Sequence, residues 1–329
     1  FPHGKPPFSL VPLQRPDELV LAAEPLAAAA GQNDVAIITL GRKMGEASDL
    51  MSRQFNLTEG ERKMIEAVSE AYHAAGKKVV VILNLSCALE TASWKGQADA
   101  VLCAFQGGEQ IGNSITDVLS GKVNPSGKLP VTFAVNYGDA PADKNFPHDI
   151  EPVMDFSALF GMKENQEKKD PVRNVDYTVY EESIYVGYRY FDTFGKEVSF
   201  PFGFGLSYTT FGYEIISSAI DGDRCELKVK VTNTGKVAGK DVVQLYVSAP
   251  KGKLEKPTKE LKAFGKTALL APGESEVLTI GWNVMDMASF NEKTSAWELA
   301  KGTYQWHVCS SSAKVEATAT QKIAKERTM

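Results

Sequence analysis

The 329-residue chain has little of what small stapled or metal-built folds depend on: four cysteines, Cys87, Cys103, Cys225 and Cys309, and four histidines. The cysteines are widely separated, form no CxxC pair and have no histidine at ligand spacing. They read as reduced core residues, and neither a disulfide framework, a metal nor a cofactor is expected. Long apolar runs are missing as well. The longest, about 19–30, is broken by Glu24 and Pro25 and is far short of the roughly 20 residues that span a bilayer, so no membrane partner is expected. The first residues, FPHGKPPFSL, lack the charged start and apolar stretch of a secretory leader. Together with reduced cysteines this favours the cytoplasm and leaves periplasmic or secreted export open. Neither sign of charge dominates: 36 Lys and Arg stand against 41 Asp and Glu, a net charge of −5. No basic cluster is interleaved with aromatics, which excludes nucleic acid as a partner.

Familiar catalytic and nucleotide signatures are absent too. Gly107, Gly108 and Gly112 do not match GxGxxG, and no Lys-Ser or Lys-Thr follows to make a phosphate loop. These glycines read as a tight turn with close helix-to-sheet approach. No Ser-His-Asp arrangement emerges. His3 and His148 lie in Pro-containing loops, His73 in a predicted helix and His307 in a predicted strand.

What the chain does have is a hydrophobic fraction of 43%, enough for one large core or two ordinary ones, and two halves of different period. In the first, DVAIITL (34–40), KVVVILNL (78–85) and ADAVLCAF (98–105) are short apolar runs of the kind that parallel strands, buried on both faces, display. Between the first two, Thr58 stands three residues before Glu61, a capping-box spacing, and Met64, Ile65, Val68 and Tyr72 recur every three to four residues up to Gly76. Strand, helix and strand in this order predict a parallel-sheet layer flanked by helices, with a further helix near 112–119. From about Asp221 the period becomes two. RCELKVKVTNTG places Cys225, Leu227, Val229 and Val231 on one face and Glu226, Lys228, Lys230 and Thr232 on the other, ending in the turn 233–235. VVQLYVSAP, SEVLTIGW, and the pair AWELA and TYQWHV joined across 301–302 complete an immunoglobulin-like β-sandwich. The fold class is thus α/β, a mainly parallel sheet flanked by helices, followed by an all-β sandwich. The expected domains are 1–165 for the α/β part, 166–217 for an aromatic-rich interdomain segment, and 218–329 for the sandwich. The aromatics of 185–213 read chiefly as glue between domains, with sugar stacking as the other reading.

The candidate site is GRKMGEASDL, 41–50, because it follows a buried strand and ligands collect beyond the carboxyl ends of parallel strands. Its charged residues are Arg42, Lys43, Glu46 and Asp49.

These segments carry a resemblance. GRKMGEASD, KKVVVILNLSCALETASW, AVLCAFQGGEQIGNSITDVLSGKVNPSGKLPVTF, VYEESIYVGYRYFDTFGKEVSFPFGFGLSYTTF and VTNTGKVAGKDVVQLYV occur in the order found in glycoside hydrolase family 3, whose best-known members are β-glucosidases, and the chain resembles the C-terminal part of that family. The resemblance implies a three-part enzyme of (β/α)₈ barrel, α/β sandwich and fibronectin type III-like sandwich, of which this chain is similar to the last two. It implies that the barrel, in cis or in trans, supplies an Asp nucleophile and most sugar contacts, while Glu46 is the general acid/base. Arg42, Lys43 and Asp49 would then orient Glu46 or contact a β-linked glycoside. The family pattern has Gly after the Glu and Arg after the Asp, where this chain has Ala47 and Leu50. The other readings are a non-catalytic accessory fragment that binds sugar or a partner, and an adhesion module, which leaves the first two hundred residues without a purpose. Oligomeric state and sugar specificity are not encoded in these patterns.

Overall fold

Thr58 starts the first long helix as its spacing predicts: its Oγ1 accepts from the Glu61 N–H at 3.1 Å, and Glu61 Oε2 accepts from the Thr58 N–H at 2.8 Å. This closes a reciprocal cap over two otherwise orphaned donors. In the computed structural model, which describes residues 18, 21–42, 52–145 and 179–329, this helix is α3 (Glu59–Ala74), preceded by α1 (Ala23–Gln32), β1 (Val35–Gly41) and α2 (Ser52–Phe55) and followed by β2 (Lys78–Asn84) and β3 (Ala100–Cys103). Gly76, at φ +70°, ends the helical run in a backbone conformation that costs a Cβ-bearing residue energy. The chain divides into two compact units, one made of Phe1–Leu89, Ser93–Phe105 and Ala142–Tyr180, the other of Glu90–Ala92, Gln106–Pro141 and Glu181–Met329.

In the first unit the described strands form a parallel sheet of order β1-β2-β3. Ala36, Ile38 and Leu40 pair with Val79, Val81 and Leu83, and all six are buried beneath α3, whose Ile65, Val68 and Tyr72 are buried in turn. Each buried Val, Leu or Ile among these contributes roughly 1.5–3 kcal/mol. The other face differs from the sequence expectation. β1 alternates between buried and exposed, with Val35 and Ile37 about half exposed, and β3 is nowhere fully buried. Among the described residues α3 packs on β1 and β2, and α1 packs on α3.

The second unit contains the five strands read from the sequence, β7 (Arg224–Asn233), β8 (Val242–Ser248), β10 (Ser275–Asn283), β12 (Ala296–Leu299) and β13 (Gly302–Ser311), and beside them β6 (Phe211–Asp221), β9 (Glu260–Lys266), β11 (Ser289–Asn291), β14 (Lys314–Ile323) and β15 (Arg327–Thr328), which that reading did not name. Ahead of them come α4 (Ile111–Leu119), β4 (Phe133–Ala134), α5 (Tyr188–Thr193) and β5 (Val198–Phe200). Two antiparallel sheets, β10-β7-β6 and β14-β13-β8-β9, make the sandwich. Its core holds Cys225, Leu227, Val229 and Val231, as the alternation predicts, against Leu245, Tyr304, Trp306 and Val308. Trp282 and Trp306 meet edge to face, 4.4 Å between ring centres. The two strands joined across 301–302 do not pair with each other. β12 joins β11 and β15, whereas β13 lies between β14 and β8, so the chain changes sheets at Gly302.

The aromatic run packs on the sandwich inside this unit. Tyr188 stacks on Phe202 and meets Tyr246 edge-on, and its hydroxyl accepts from the Leu261 N–H at 2.8 Å. The segments NPSGKLP (124–130) and FGFGLSYT (202–209) are tied down in the same unit. Lys128 reaches Asp241 at 2.9 Å and the Gly205 carbonyl at 3.1 Å, and the Tyr213 hydroxyl donates to Asp241, which is 3% exposed. Asn124 Oδ1 accepts from the Ser207 hydroxyl and the Tyr208 N–H. A Cβ on Gly205 would sit 2.2 Å from the Gly127 carbonyl, so the two motif segments approach more closely than any other residue permits.

Candidate active site at the carboxyl edge of the parallel sheet

β1 delivers the chain to Arg42 at the carboxyl edge, where the Arg42 N–H continues the ladder to the Asn84 carbonyl at 3.2 Å. The Arg42 guanidinium forms a two-point pair with Glu61, Nη1 to Oε1 at 2.6 Å and Nη2 to Oε2 at 2.8 Å. The side chains are 6% and 0% exposed. Its remaining N–H groups donate to the carbonyls of Gly41 (3.0 Å), Gln54 (2.9 Å) and Asn56 (3.1 Å). Guanidinium has five N–H donors, and all five are engaged by the protein itself. Glu61 therefore does two jobs, capping α3 and neutralising Arg42. The sequence reveals the first through its capping spacing and hides the second, because the partner lies 19 positions away. Of the other candidate residues, Lys43, Glu46 and Asp49, together with Ala47 and Leu50, fall outside the described residues.

Beside Arg42 along this edge lies Cys87. Burial pushes its thiol up to about 11 against the opposing pull of the Arg42 charge. Burial likewise raises Cys103, at the end of β3, to about 11. Protonated thiols of this kind are poor nucleophiles. Phe105 follows in a left-handed conformation, φ +50°, which for an aromatic residue costs strain and puts a sharp turn directly after the strand. No sequence signal marks it.

The histidines do other work. His73 lies 2.9 Å from Asp99, which also accepts from Lys78 and from the Val79 N–H. These bonds, Lys78 first, hold the Asp99 carboxyl well below the usual carboxylate range. The cluster sits at the amino edge of the sheet, where β2 and β3 begin, and ties the end of α3 down. His307 lies between the Ser248 and Thr318 hydroxyls, each at 3.0 Å, and burial lowers its pKa. Among the described residues no cluster of His, Cys, Asp and Glu has the makings of a metal site, and no helix is long and apolar enough to cross a membrane.

Comparison with known proteins places these features in a wider set. Residues 21–208 match the model of the glycosyl hydrolase family 3 C-terminal domain, and residues 241–312 match that of a fibronectin type III-like domain. The chain is 37% identical over 342 residues to Beta-glucosidase A of Butyrivibrio fibrisolvens, a match that covers 89% of this chain and 38% of that protein. Thermostable beta-glucosidase B of Acetivibrio thermocellus is 36% identical, with 84% and 33% covered. Among solved structures, beta-glucosidase 3B from Thermotoga neapolitana in complex with glucose superimposes with a TM-score of 0.83 at 40% identity, covering 94% of this chain and 40% of the other. The chain thus spans about two fifths or less of the length of these relatives.

Proposed function

As the chain belongs to glycosyl hydrolase family 3, we propose that it supplies the general acid/base half of a retaining β-glucosidase-type reaction, with Glu46 as the proton-transferring group. The observation that carries this reading is the family match across 21–208, within which Glu46 follows the strand that ends at the carboxyl edge. A retaining glycosidase needs two carboxyl groups about 5–5.5 Å apart: one attacks the anomeric carbon while the other protonates the departing oxygen and then deprotonates the incoming water. In this reading the attacking carboxylate is an Asp of a barrel domain, joined in cis or bound in trans. The substrate is a glycoside or oligosaccharide with a terminal non-reducing β-linked sugar. Lys43 and Asp49 flank Glu46 and contact substrate or orient the acid. The proposed division of the chain is 1–165 for the domain carrying the acid/base loop, 166–217 for the aromatic segment and 218–329 for the sandwich. Alone, the chain has no nucleophile and shows no turnover.

The test is Glu46→Gln in the complex with the barrel domain. General acid catalysis is worth about 10²- to 10⁴-fold, so hydrolysis of disaccharides should fall by that order, while aryl glycosides with acidic phenols should still release their phenol in a first burst. Disaccharide hydrolysis at the unmutated rate would reject the assignment and leave Asp49 as the next residue to change.

A further inference from the structure

We infer that one end of the β-sandwich is a second carbohydrate-binding site, which takes a neutral β-linked gluco-oligosaccharide and does not depend on the role of Glu46. Its first part is a platform of rings. Phe290 on β11 and Trp297 on β12 are cross-strand partners that meet edge to face, 5.4 Å between ring centres, yet they stay 47% and 46% exposed. Met329, joined to Trp297 by reciprocal backbone bonds of 2.9 and 3.0 Å, is exposed beside them. Residues directly opposite in a ladder share a face, as do residues two apart in a strand. Phe290, Trp297 and Met329 therefore share a face with Arg327, which lies opposite Leu299. Arg327 leads to the second part. Its guanidinium donates to the Asp223 carboxylate and to the Gly222 carbonyl, and Asp223 lines an open cleft of about 410 Å³ with Arg224, Gly281, Trp282 and Asn283.

The chemistry of the two parts selects the ligand. Arg224 and Asn283 lie opposite each other on β7 and β10, and Gly281, on the same face as Asn283, adds no side chain beside them. Arg224 donates to Glu226 at 3.3 Å, and Asn283 Oδ1 accepts from the Met285 N–H at 2.8 Å. Among the described residues the remaining guanidinium N–H groups and the Asn283 amide N–H groups have no protein partner, so they are open to hydroxyl acceptors. Three cations, Arg224, Lys228 and Arg327, stand here with three carboxylates, Asp223, Glu226 and Asp286. With no excess charge, the cleft does not favour an anion. The half-exposed rings present on the order of 200 Å², far less than the roughly 800 Å² that each side of a stable protein complex buries. The axial C–H face of a β-linked glucose ring, with its hydroxyls around the rim, matches a single aromatic face, and the cleft has the size of small-ligand sites, roughly 300–1,000 Å³. A sugar chain stacked on Trp297 and running past Arg327 thus brings its hydroxyls to Arg224 and Asn283.

The experiment titrates the full chain with cellohexaose by calorimetry, beside Trp297→Ala, Trp297→Phe, Arg224→Ala and Glu46→Gln. The Trp297 and Arg224 side chains are exposed, so these variants keep the fold, and thermal melts verify it. The expected result is saturable binding that Trp297→Ala weakens about three- to tenfold, that Trp297→Phe largely restores by returning an aromatic face, and that Arg224→Ala weakens roughly two- to tenfold. Glu46→Gln should bind as the unmutated chain does. No binding, or binding that Trp297→Ala leaves intact, would overturn the site. Binding lost in Glu46→Gln and kept in Trp297→Ala would place the sugar at the proposed reaction centre and overturn it as well. Sedimentation of the same samples supplies the last outcome: self-association that Trp297→Ala abolishes would give the platform to a second copy of the chain in place of a sugar.

Discussion

One cation–carboxylate pair in each unit, Arg42–Glu61 and Lys128–Asp241, joins residues far apart in sequence, yet the two serve different ends. In the second unit Lys128, Asp241 and Tyr213 lock the motif NPSGKLP against the β-sandwich, beside the close Gly127–Gly205 contact. In the first unit Arg42 and Glu61 lock the end of β1 to the start of α3. The segments NPSGKLPVTF and PFGFGLSYT, which form part of the resemblance to the family, therefore mark structural ties, whereas the proton transfer is proposed to depend on Glu46, in a different part of the sequence.

The comparison is sharpest when one pair is broken at a time. Asp241→Ala strands the Tyr213 hydroxyl and leaves the Lys128 ammonium only the Gly205 carbonyl, and the second unit should lose about 3–5 kcal/mol, the usual cost of breaking a buried pair. Chemical denaturation followed by the fluorescence of the sandwich tryptophans measures it. The leaving-group dependence of the catalysed reaction should stay as it was in the folded fraction. A change there would mean that the two pairs are not independent.

Thr58→Ala is a smaller disturbance of the first unit. It removes the hydroxyl that accepts from the Glu61 N–H while sparing the ion pair, and should cost about 1 kcal/mol of stability. A loss of several kcal/mol would show that the cap and the ion pair act as one structure.

The smallest effect is one of pH. Burial lowers the pKa of His307 in the folded chain, so the folded state binds that proton more weakly than the unfolded state does. The stability it contributes is complete above the unfolded value, about 6.5, and is lost as the pH falls below it. His307→Gln should flatten the acid-side slope of a melting-temperature profile. An unchanged slope would assign it to other groups.

Much of this architecture can be read from the residues. The capping box at Thr58 and Glu61 and the alternation from Cys225 to Val231 are local patterns, and both elements appear where those patterns put them. Three features could not be read, for separate physical reasons. The runs at β1 and β3 are apolar enough for two-sided burial, but burial is decided by what packs on each face, and Val35 and Ile37 remain half exposed. The turn at Gly302 permits a hairpin, yet tertiary pairing sends β12 and β13 to different sheets. Glu61 looks complete as a helix cap, which conceals the charge it neutralises.

The central claim is that Glu46 handles the proton in both steps, and product analysis with azide tests it most directly. The complex of barrel domain and Glu46→Gln chain, given an aryl β-glucoside with an acidic phenol, should form the covalent glycosyl intermediate and stall, because no base activates water. Azide needs no base, so it should restart turnover and yield the β-configured glucosyl azide, identifiable by its anomeric proton coupling in NMR. Free glucose formed at the unmutated rate, with no glycosyl azide, would contradict the account.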